Sequence, residues 1–387
     1  MIELVCLILL LIILFLLCFC MLSDTQVSKK FGGKSLVFVA ILFVFFSLIF
    51  KPDSFIRWDL IEHFKVVDNM RSGGLNYATT ESQYADLFVY NYFAYFISLL
   101  PLNYQNLLTA IPLTIDFIIV GYIYNKIFKE YLPDTNGKTR VLSMFLWLCT
   151  FGLKLAISGI RCSLAVSIVV LAIYLEMIQK KKRVFSIFLY LISIFIHNFA
   201  VVVIIVRLLT MLKKPVLIML SSLGISFAIE PFARYVVRNT NNEYFSYSFR
   251  RILETVQDMS LTSALQSFNG ATLIIYMCFI ALAIYLFVVS TRAKQIYTED
   301  GYCKNVLNFA ATVGAVAIGL SFNYLYLERF MYLISFALLM ITPLHNRNKN
   351  GINMGNIILI PMALFVFFFN DIYIFIVNYV KVYFLAF

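Results

Sequence analysis

Charge is scarce in this sequence: 13% of its 387 residues are Asp, Glu, Lys or Arg, against 62% hydrophobic. Ordinary soluble domains carry about 25% charged residues, and a mean hydropathy of +0.88 excludes that class. Period-two alternation is also missing, which excludes a membrane β-barrel. Seven cysteines (Cys6, Cys18, Cys20, Cys149, Cys162, Cys278, Cys303) show no CxxC spacing and mostly sit in apolar runs, so neither a disulfide framework nor a zinc site is indicated. The chain lacks a zinc-protease helix, a GxSxG elbow and any Asp-x-Asp pair for a metal–nucleotide-sugar complex. Gly33-Lys34-Ser35 ends like a phosphate-binding loop, but Ser28 stands where its first glycine belongs. No cofactor and no metal are expected.

What is present is a series of apolar segments near twenty residues long, and in hydrocarbon such segments fold as helices that satisfy their own backbone. Clear spans are expected at about 4–22, 35–50, 105–125, 141–157, 162–178, 215–230, 271–290, 305–322, 330–345 and 356–370. Residues 4–22 could pass for a secretory signal, but Glu3 precedes them without Lys or Arg and no small-x-small site follows, so a retained helix is expected. The fold class is therefore all-α, a polytopic transmembrane bundle of about 11–13 spans, with residues 1–387 forming a single integral membrane domain.

The net charge of +11 is divided among short loops, where Lys and Arg act as topology signals rather than as a nucleic-acid surface. Lys29, Lys30, Lys34, Lys126 to Arg140, Lys180 to Arg183, Lys213-Lys214, Arg292 to Lys304, Arg347 and Lys349 then mark the cytoplasmic side. Residues 184–212 lie between two such clusters and are expected as a short-helix hairpin, its apex near His197-Asn198 on the outer side. Segment 85–101 would invert the downstream layout if it crossed, so it reads as surface-lying or re-entrant within an outer loop at 51–104. A second outer loop is expected at 231–270.

Basic residues sort by type across this layout: 14 Lys and 4 Arg inside, against 2 Lys and 8 Arg outside. A topology signal alone is indifferent to Lys versus Arg, whereas Arg grips phosphate bidentately. The outer set is Arg57, Arg71, Arg161, Arg234, Arg238, Arg250, Arg251 and Arg329, and as a set it points to phosphate or diphosphate at the lipid interface. Pairing with outer carboxylates such as Asp68 or Glu230 is the plainer reading for any one of them.

Arg161 opens the helix 162–178, with Lys154 seven residues earlier, and both are expected at one outer pocket. His197 is a candidate proton acceptor, or else a helix cap. Arg329 is expected to open the helix that begins at Phe330. In Arg57-Trp58-Asp59-Leu60-Ile61-Glu62-His63, Asp59 and His63 share a helix face and form either a base with its orienting acid or a capped surface helix. Arg250 and Arg251, set among Tyr244, Phe245, Tyr247 and Phe249, suit either a sugar and phosphate clamp or a membrane-interface belt.

Gly159-Ile160-Arg161-Cys162-Ser163-Leu164-Ala165, the turn Lys180–Arg183, Phe195-Ile196-His197-Asn198 and Glu328-Arg329-Phe330 resemble the Wzy/EpsG-like polysaccharide polymerases of bacterial envelopes. Glutamine commonly follows the matched arginine in that family, and Cys162 stands there in this chain. The resemblance implies a GT-C-like helical fold in the bacterial inner membrane. It also implies a polymerase of the kind that makes O-antigen or capsule, joining oligosaccharide repeat units carried on undecaprenyl diphosphate at the periplasmic face. Membrane lipid and a chain-length regulator protein are the implied partners. The alternatives are an O-antigen ligase using the same donor and a flippase for lipid-linked oligosaccharide, which would need cations deep in several helices.

Overall fold

The computed structural model describes residues 5–6, 8–9, 11–13, 16–17, 25–52, 59–82, 85–101, 104–180, 182–240, 250, 253, 270–296, 301–345 and 354–384. Among these residues no strand forms, and the fold is an all-α helical bundle. Six stretches are long and apolar enough to cross a bilayer: Leu107–Tyr131, Ile160–Ile178, Pro215–Asn239, Leu273–Ala293, Tyr326–His345 and Ile358–Val380. They make the chain a multi-pass membrane protein. Leu36–Ile49, Arg183–Ile194 and Phe199–Leu212 are apolar but shorter.

The chain divides into two compact units, Met1–Ile205 with Leu338–Phe387, and Val206–Ala337. In the first, α1 (Thr25–Ile49) packs on α4 (Leu107–Lys126) and α5 (Gly137–Phe151), and α7 (Ile160–Ile173) packs on both α4 and α8 (Arg183–Ile194). Two shorter amphipathic pieces, α2 (Asp59–Asn76) and α3 (Phe88–Ser98), pack on each other, and α2 also touches α6 (Leu153–Ser158). The eleven residues of α3 rise only about 16 Å. Arg71 fastens α2 to the far end of α3: Nε and Nη2 donate to the carbonyls of Ser98 and Leu100, while Nη1 pairs with Asp68. A π-helical turn, Phe367–Ile372, joins α14 (Met354–Val366) to α15 (Tyr373–Phe384). This continues the C-terminal apolar run well past the expected end at residue 370.

The second unit centres on α12 (Gly301–Gly319), which packs against α10 (Pro215–Asn239) and α11 (Gly270–Ile296). The approach is close because glycines face it. A Cβ at Gly319 would lie 2.3 Å from Ser222 Cβ, and one at Gly314 would lie 2.7 Å from the Phe287 nitrogen. Ser226 adds a hydrogen bond to the Gly319 carbonyl at 2.7 Å.

Three expectations change. The span expected at 141–157 breaks at Gly152, whose φ of 78° is open to glycine at little cost; α5 ends there and α6 begins. Helix α13 (Tyr324–His345) starts five residues before Arg329, so Arg329 lies beyond the first turn rather than opening the helix. The physical reason is Asn323, whose Oδ1 accepts the Tyr326 N–H at 3.1 Å and caps the helix early. Helix α10 continues through Pro231 to Asn239 and takes residues 231–239 from the segment read as a loop.

Candidate functional site

Arg161 is the second residue of α7, two positions after the N-cap Gly159. A break between two helices puts it there: α6 ends at Ser158, and Gly159 turns the backbone into α7. Ser158 Oγ accepts the Asp59 N–H at 2.9 Å, which fixes the start of α2 against this turn. From the other side, α9 (Phe199–Leu209) follows α8 after a tight turn that carries His197. The Tyr90 N–H reaches the Phe195 carbonyl of that turn at 3.4 Å, and the Phe88 and Phe195 rings meet at 4.2 Å. Four separated segments are thus pinned around Arg161.

The guanidinium carbon of Arg161 lies 5.4 Å from the centre of the Tyr90 ring, within cation–π range. Tyr90 Oη and His63 Nδ1 are 2.9 Å apart, and both residues are buried. Burial is the main reason the His63 imidazole is held well below its ordinary pKa, followed by the positive charge of Arg161 and then by His197. His63 is therefore neutral at physiological pH. His197 accepts the Phe199 N–H on Nδ1 at 3.0 Å, capping α9. In the neutral ring that bond leaves the proton on Nε2, so His197 presents a donor. Arg161 and His197 are half-buried, and Asp59 is exposed beside them on the first turn of α2.

Arg161, His197 and His63 thus lie near one another, and the backbone of Asp59 is held to Ser158 of the adjoining turn. Of the two readings open for Asp59 and His63, an acid–imidazole pair or a capped surface helix, the structure adds a third partner: the Tyr90 phenol meets His63 Nδ1, and His63 is buried. Lys154 is half-buried on α6 with its backbone N–H held by Asp371 Oδ1 at 2.7 Å. Arg329 belongs to the second unit, next to the buried Glu328, and Arg250 is exposed there. Arg57 and Arg251 lie outside the described residues. Two other outer arginines follow the plain pairing reading: Arg71 with Asp68 at 2.8 Å and Arg234 with Glu230 at 2.6 Å.

Tyr90, Asp116 and Asp371 were not expected. Asp116 is fully buried in α4, and Ser167 and Ser163 of α7 are its hydrogen-bonding neighbours, although neither carboxylate oxygen closes a bond of ordinary geometry. A carboxylate inside an apolar run is a readable signal, whereas Tyr90 is hidden in an aromatic run. A groove of about 670 Å³ between α1 and α4, lined by residues such as Val37, Phe45 and Ile118, is apolar and includes none of the site residues.

Comparison with curated proteins and with solved structures finds no match. The model of the EpsG family does match, over residues 36–383, and with nearly its whole length covered the chain belongs to the EpsG family.

Proposed function

We propose that this protein is a polysaccharide polymerase of the bacterial inner membrane, GT-C-like in organisation, joining oligosaccharide repeat units carried on undecaprenyl diphosphate. The Arg161 end of α7 faces the periplasm in this reading. The observation that carries it is the grouping of Arg161 and His197 around His63, with the start of α2 held to Ser158 beside Arg161's turn, together with membership of a family of Wzy-type polymerases.

Arg161 binds the diphosphate of the donor from the first turn of α7, where the positive end of the helix dipole favours an anion. His197 donates its Nε2–H to the same group. As the bond between the anomeric carbon and the diphosphate oxygen breaks, that oxygen keeps the electron pair, and fixed cations stabilise its growing charge. The acceptor hydroxyl forms the new bond and gives its proton to Asp59, which is exposed and whose backbone is held to Ser158 of the turn. His63, buried and bonded to Tyr90, does not serve as the base. Fixed cations do the work of a metal ion, and a chain-length regulator acts on the product from outside the site.

The test is a ladder of surface glycan in a deletion strain carrying variants. Arg161→Ala removes polymer at wild-type protein level, with a rate loss of roughly a hundred- to a thousand-fold by analogy with an oxyanion-hole donor. Arg161→Lys restores it in part, because the planar fork is lost. Purified enzyme keeps its activity in EDTA. Normal chain lengths from Arg161→Ala would remove this site from the reaction.

A further inference from the structure

Tyr90 and His63 are each 2% exposed, so neither reaches a substrate, yet both sit directly behind the cation that does. The phenol is anchored at its far end by His63 Nδ1, and the two rings meet edge-on with centroids 5.4 Å apart. A ring held at its far end cannot swing away from the Arg161 guanidinium. Arginine is a flexible side chain, and a fixed π-face removes part of the freedom it would otherwise lose on gripping an anion.

We infer that Tyr90 is a positioning residue that holds the Arg161 guanidinium toward the diphosphate, and that His63 is the anchor that keeps the Tyr90 ring in place. This rests on the role proposed for Arg161. The anchor works because it is uncharged: an imidazolium among Arg161 from α7, His197 from the α8–α9 turn and Lys154 on the packed helix α6 would repel the cation it serves. The arrangement joins α2, α3 and α7, so two helices that are not themselves candidate spans contribute to substrate grip through Arg161.

Binding of farnesyl diphosphate to the purified full chain in nanodiscs tests this, with farnesol as the uncharged control. Tyr90→Leu removes the π-face and weakens farnesyl diphosphate about tenfold while leaving farnesol unchanged. Tyr90→Phe keeps the face but loses the anchor and weakens binding by about threefold. His63→Gln has an effect of similar size, and combining it with Tyr90→Phe adds nothing further, because the two residues act as one unit. Wild-type affinity in Tyr90→Leu, beside lost affinity in Arg161→Ala, would overturn the positioning role and leave the proposed function standing. A lower Tm with unchanged affinity in both Tyr90→Phe and His63→Gln would reduce the pair to a pin between α2 and α3. Unchanged affinity in Arg161→Ala would instead remove the diphosphate role itself.

Discussion

His63 stays neutral because its surroundings make a proton on it expensive, first through burial and then through two neighbouring cationic or ionisable groups. That cost has a measurable consequence for stability. With the folded pKa held below the ordinary 6.5, the unfolded chain takes up the proton first as pH falls, so the contribution is complete above that value. It is lost on the way down to the folded pKa, by up to about 1.4 kcal/mol per pH unit. Thermal unfolding in detergent between pH 7.5 and pH 5 checks it: the wild-type Tm should fall more steeply than that of His63→Gln, and parallel curves would show that His63 is not the group responsible. Arg161 and His197 could be singled out in the sequence because ionisable residues near the ends of apolar helices are rare, whereas His63 sits in a charged stretch that reads equally as a surface helix. Tyr90 could not, since one tyrosine in Phe88-Val89-Tyr90-Asn91-Tyr92-Phe93 looks like its neighbours until its ring is found under a cation.

Helices were legible where length and hydropathy alone decide them, as in α4, α7 and α11, and misjudged where a single residue sets a boundary. Gly152 ends α5 through a positive φ, and Asn323 begins α13 by capping it; both are ordinary residues in an apolar context, and neither changes a hydropathy average. Apolar length also says nothing about which helices approach most closely, and there the glycines matter. Replacing Gly314 with Val would drive a side chain into the backbone of α11, with Phe287 N at 2.7 Å and the Ala283 carbonyl at 2.9 Å. Backbone cannot move as a side-chain tip can, so the cost exceeds the 1–3 kcal/mol, roughly, of an overpacked core. The variant should fail to accumulate in membranes, read by quantitative immunoblot, whereas Gly224→Ala, with open space around its Cβ, should accumulate as wild type. Equal amounts of both would mean that α11 and α12 do not depend on this close approach.

At the scale of the whole molecule, the fold class and the membrane setting were readable because a bilayer demands so much of composition. The wiring was not, because contacts between distant segments leave no local pattern. Asp371 accepts the Lys154 N–H across 217 residues of chain, and the Asn378 amide donates to the Lys51 carbonyl across 327. The first holds the start of α6, the short helix whose end carries Ser158 and leads into Arg161. During synthesis the chain emerges from its amino terminus onward, so α6 is made long before its partner Asp371, in the π-helical turn between α14 and α15, exists. The grip on α6 is therefore one of the last events of biogenesis, and a chain stopped after residue 345 should insert yet bind farnesyl diphosphate at least tenfold more weakly, roughly the effect of losing one or two hydrogen bonds at a charged site. An assembly order of this kind completes the hold on α6 only after residue 371 has been made.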